Sequence, residues 1–96
     1  MSPGNKKKLY KLRKDLDKID HKLLSFIKKR SEIVKKVLLL KHYKNEIVDK
    51  KRISIILKKI KKESLKRNID PKITKRIWKN MIWSFIGYER RNFKKK

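Results

Sequence analysis

The chain of 96 residues contains no cysteine, which excludes disulfides, thiolate nucleophiles and Cys-ligated metal sites. His21 and His42 are its only histidines, too few for a metal cluster. Glycine is confined to Gly4 and Gly87, so no Gly-rich loop can cradle a phosphate. Ser25, Ser31, Ser54, Ser64 and Ser84 have no evident His–Asp partners, which argues against a hydrolytic triad. No apolar run reaches the roughly 18 residues of a membrane span. The opening stretch Met1 to Lys8 lacks the apolar segment of a secretory signal. These absences lead to the expectation of one cytoplasmic domain with no metal and no cofactor.

What is present is charge. Nine acidic residues face 33 basic ones, a formal net charge of +24. That surplus raises a nucleic-acid reading. Yet the cations are mostly Lys, isoleucine is abundant and alanine is absent. This is the bias of a coding sequence poor in G and C, in which solvated positions drift to Lys. Arg, the better fork for phosphate and guanine, is the minority. The aromatic residues fall at core spacing and form no basic stacking platform. The favoured partner is an anionic small molecule; a basic helical nucleic-acid-binding protein is the alternative.

The apolar pattern is helical throughout. Residues 1–8 read as a disordered basic tail. From Leu9, the positions Leu12, Leu16, Ile19, Leu23, Phe26, Arg30, Ile33, Val37 and Leu40 follow at alternating spacings of 3 and 4, a heptad seam on one helix over 9–41. A second stripe, Leu24, Ile27, Val34 and Leu38, widens the apolar face beyond what a two-stranded zipper needs. Residues 42–48 read as a loop. Asp49 suits the N-cap of a second helix over 49–67, and Asp70-Pro71 suits the start of a third over 71–93. Residues 94–96 should fray. A first helix of this length spans roughly 50 Å. Two shorter helices cannot cover it, so the expected fold is all-α: a three-helix protomer with a long first helix, intertwined into a six-helix dimer.

Two charged residues interrupt apolar stripes. Arg30 stands in the seam, where a guanidinium needs a partner: an internal ion pair, water, or a bound anion. Lys41 follows it by eleven residues, which returns it to within about 20° of the same direction and about 16 Å further along. Arg13 faces elsewhere on the helix and could reach the same ligand only from a second chain. Glu89 ends the third-helix stripe of Trp78, Ile82 and Phe85, as a rim residue paired with a lysine or as a site acid.

These residues together resemble the all-helical chorismate mutases. The run Leu12-Arg13-Lys14-Asp15-Leu16-Asp17-Lys18-Ile19-Asp20, then Leu23-Leu24 and Lys29-Arg30, is similar to that family's opening helix. Lys41, Asp49 with Arg52, Asn68-Ile69-Asp70-Pro71 and the segment Ile77 to Glu89 continue it over about residues 9–93. The resemblance implies a pericyclic conversion of chorismate to prephenate, in aromatic amino acid biosynthesis, within a homodimer and without a cofactor. It implies that Arg13 crosses into the partner's site to bind one carboxylate and that Arg30 binds the other. Lys41 and Glu89 would contact the breaking ether oxygen, and Asp49 and Arg52 would help close the site. Ile53 stands where mutases usually carry Glu, and Phe85 where they carry a small hydroxyl residue. Both departures are similar to the related isochorismate pyruvate lyases, so the lyase reaction is the second implied activity.

Overall fold

A computed structural model describes residues 1–94. It is all-helical among those residues: α1 spans Pro3–Leu40, α2 Lys50–Lys66 and α3 Pro71–Asn92, with a short 3-10 turn at Lys44–Glu46. Two compact units divide the chain, Met1–Ile33 and Val34–Lys96.

The first unit consists of α1 up to Ile33. Its start corrects the expectation of a disordered tail over 1–8. Ser2 acts as the cap: its Oγ accepts a hydrogen bond from the Asn5 N–H at 3.2 Å, and the Lys6 N–H donates to the Ser2 carbonyl at 2.9 Å. Pro3 occupies the first helical position, where its missing N–H costs nothing. Three lysines then carry the helix to Leu9 without a breaker, since Lys is a good helix former. The seam residues Leu12, Leu16, Ile19, Leu23 and Phe26 are each more than half exposed. Apolar side chains of this size gain about 1.5–3 kcal/mol each on full burial, so this stripe is an uncovered surface of large latent value.

The second unit holds the last part of α1, the connecting segment, α2 and α3. Both later helices begin where the sequence places them. Asp49 Oδ1 accepts from the Arg52 N–H at 2.9 Å, and Asp70 Oδ1 accepts from the Lys72 N–H at 2.9 Å with Pro71 behind it. α2 stops through Asn68, whose φ of 55° turns the chain left-handed and lets the Ile69 N–H reach the Ser64 carbonyl at 2.9 Å. α2 and α3 then pack as a hairpin. A buried hydroxyl pair pins their joined end: Ser64 and Thr74 lie 2.7 Å apart, and Ser64 Oγ donates to the Ile60 carbonyl at 2.6 Å. Ser64 spends its one proton on the Ile60 carbonyl, so the Thr74 hydroxyl donates to Ser64 in preference to the Pro71 carbonyl, which lies farther off at 3.4 Å.

The core is small: Ile47, Ile82 and Ile86, with Val48, Ile53, Ile56, Leu57 and Phe93 against it. Ile47 is its most buried member at 4% exposure, although the stretch 42–48 reads as an undifferentiated loop. Lys94 is exposed beyond α3, and the rest of the expected frayed end, Lys95 and Lys96, lies outside the described residues.

Candidate active site

The end of α1 and the last turns of α3 meet at one polar contact. Lys41 follows α1 directly, and its Nζ donates to Glu89 Oε2 at 2.8 Å. The exposures are low, 18% for the Lys41 side chain and 8% for that of Glu89. The stripe on α3 explains the burial of the carboxylate: Ile82 is buried, and Trp78 and Phe85 are half-buried on the same face. Such a pair gains little over an apolar filling, but removing one partner strands the other and costs about 3–5 kcal/mol. Leu38, one turn before, is buried and anchors the end of α1.

A cleft of about 650 Å³ opens beside this pair, lined by Lys41, Asn45, Glu46, Val48, Asp49 and Lys50. Its floor is held by the connecting segment. The Tyr43 N–H donates to Glu46 Oε1 at 3.1 Å, which closes the 3-10 turn. Ile47 then plugs into the core while Asp49 starts α2. The cleft therefore carries the Lys41 cation at one wall and the Asp49 carboxylate at another, with the Glu89 carboxylate behind the lysine.

The expected site residues divide between the units. In the second, Lys41, Asp49 and Glu89 are gathered at or next to the cleft. Arg52 is exposed on the first turn of α2, and its N–H satisfies the Asp49 cap. Ile53 is half-buried against the isoleucine core, and Phe85 is half-buried one turn before Glu89. In the first unit, Arg13 and Arg30 are both exposed on α1, as are the seam residues around them. Glu46 is the polar residue that sequence reasoning passed over. Its signal was its place three residues after Tyr43, the spacing of a reciprocal cap, hidden in a run with no apolar period.

Compared with models of known protein families, residues 12–90 match the one described as chorismate mutase type II. Searches of curated proteins and of solved structures found no match. The matched span runs from the early part of α1 almost to the end of α3 and includes all eight expected site residues, from Arg13 to Glu89.

Proposed function

The chain belongs to the chorismate mutase type II family, and on that premise we propose that it converts chorismate to prephenate in the cytoplasm, as a homodimer with two shared sites. The observation that carries this reading is the buried Lys41–Glu89 pair at the wall of a cleft. A pericyclic rearrangement needs no nucleophile. It needs a rare conformer held still and a donor where negative charge grows. Lys41 supplies the donor to the ether oxygen as the bond breaks, in a setting sheltered from water. A preorganised donor of this kind contributes about 3–4 kcal/mol to the barrier. Lys41→Met should therefore lower kcat by roughly two to three orders of magnitude.

The substrate is a dianion and requires forked cations. In this reading Arg30 takes one carboxylate and Arg13 of the second chain takes the other, while Arg52 and Asp49 close the cleft. The uncovered seam of α1 supports the dimer, because a second copy of the same helix offers the matching apolar face. That no described helix is long and apolar enough to cross a membrane agrees with the location.

A second activity draws on Ile53 and Phe85. Both are apolar and half-buried, and Ile53 packs on the isoleucine core, so neither can hold a ring hydroxyl. That favours elimination of pyruvate from isochorismate as a competing reaction. Incubating the purified protein with each substrate, and following prephenate and salicylate separately, decides between them. Prephenate from chorismate supports the mutase. Salicylate from isochorismate alone transfers the assignment to the lyase, and neither product refutes both.

A further inference from the structure

A second concavity runs from the cleft along α2 to the start of α3, sharing Lys50 with that cleft and taking in Ile53. It encloses about 660 Å³, and five lysines line it: Lys50, Lys58 and Lys61 from α2, Lys72 and Lys75 from α3. All five are exposed, and Leu57 and Pro71 are half-buried beneath them. No carboxylate lines this groove.

The lysines also have no internal counter-charge among the described residues. Among its described residues the second unit has five side-chain carboxylates, and each is engaged elsewhere. Glu46 accepts from Tyr43 N–H, Asp49 caps α2, Asp70 caps α3, Glu89 holds Lys41, and Glu63 lies 3.9 Å from Lys66 and 4.0 Å from Arg67. Composition alone reads surplus lysine as drift over solvated positions. Drift scatters charge and does not explain five unpaired cations converging on one concave surface. Gathered there, they repel one another and focus a positive field into the groove, which a bound anion relieves.

We propose that this groove binds the phosphodiester backbone of a single-stranded nucleic acid. Lys58 with Lys61, and Lys72 with Lys75, are each one helical turn apart, so their side chains start about 5–6 Å from one another. That spacing presents cations in series to a chain that carries one charge per nucleotide. The floor is aliphatic, with no aromatic side chain among its lining residues, so bases have nothing to stack on and binding is independent of sequence. The attraction is then almost wholly counterion release. Five neutralised phosphates give a slope of log K against log salt of about −3.5, at about −0.7 for each contact to a single strand.

The test uses the full chain and a fluorescent oligouridylate over a range of salt, with phosphatidylglycerol vesicles as a parallel arm. A groove variant, Lys58→Gln, Lys61→Gln, Lys72→Gln and Lys75→Gln together, is compared with a control of equal charge. The control carries Lys7→Gln, Lys11→Gln, Lys14→Gln and Lys18→Gln on the side of α1 away from the seam. The groove variant should lose at least tenfold in RNA affinity, and its slope should shrink by about 2.8. The control should retain the wild-type groove contribution, and circular dichroism and sedimentation should be unchanged for both. Equal losses in the two variants would reduce the binding to diffuse charge and overturn the proposal. So would vesicle binding that depends on the groove lysines as strongly as RNA binding does. A groove variant that sediments differently from the wild type would assign the groove to contact between copies of the chain, and would overturn it as well.

Discussion

At the scale of single residues, the site turns on two groups that need each other. Lys41 has a buried carboxylate as partner, and Glu89 has an ammonium as partner, at 2.8 Å. An anionic Glu89 behind Lys41 opposes the charge that develops on the substrate oxygen. Glu89→Gln keeps an acceptor for Lys41, removes that opposing charge and adds an N–H donor. Its kcat near neutral pH should equal or exceed that of the wild type, while Glu89→Ala should lose activity. An inactive Gln variant beside an active Ala variant would leave Glu89 as a structural counter-ion only. Stability should follow a different pattern. Lys41→Met strands the buried carboxylate and should cost about 3–5 kcal/mol in urea unfolding, and adding Glu89→Leu should restore much of it. Equal stability of the single and double variants would show that the pair is solvated. Both residues were legible one at a time, Lys41 by its turn around α1 from Arg30 and Glu89 as a charge in an apolar stripe. Periodicity could not pair them, because 48 residues separate them and no local period links α1 to α3; only the family resemblance implied that both face one oxygen.

Among the elements, helix starts were legible because their chemistry is local. Asp49 and Asp70-Pro71 are caps that a reader can place without a fold, and both caps form. The start of α1 was missed because Ser2-Pro3 lies beside a lysine run that looks like a solvated tail, although lysine sustains a helix once it is capped. Ile47 was missed because a lone apolar residue in a polar loop has no period to reveal it. The end of α2 gives a sharp test. Asn68 sits at a φ of 55°, where glycine is at ease and a β-branched side chain clashes. Asn68→Gly should leave thermal stability unchanged or slightly raised. Asn68→Val should lower it by about 1–2 kcal/mol. A Val variant as stable as the wild type would mean that α2 ends by some other means. The Ser64–Thr74 hydroxyl pair predicts a buried penalty of its own: Thr74→Val leaves Ser64 Oγ without its donor and should cost about 1–3 kcal/mol.

The whole molecule is where the sequence and the single chain agree that something is unfinished. The heptad of α1 asked for a second helix face, and Leu12, Leu16, Ile19, Leu23 and Phe26 stand exposed. Arg13 and Arg30 stand exposed on the same helix. Periodicity could not show which chain covers them, since it specifies a face and not its partner. Sedimentation at low micromolar concentration should give a dimer, and a compact helical monomer would remove Arg13 from the site. The most direct test combines assembly and chemistry. Arg13→Ala and Arg30→Ala proteins, each inactive alone, are unfolded together, refolded as a mixture and assayed for prephenate from chorismate. One site of each heterodimer collects both defects and the other collects neither. The mixture should therefore regain roughly a quarter of the wild-type sites, from a statistical half of heterodimers with one good site each. Heterodimers that form yet produce no prephenate would contradict a mutase with sites shared between two chains.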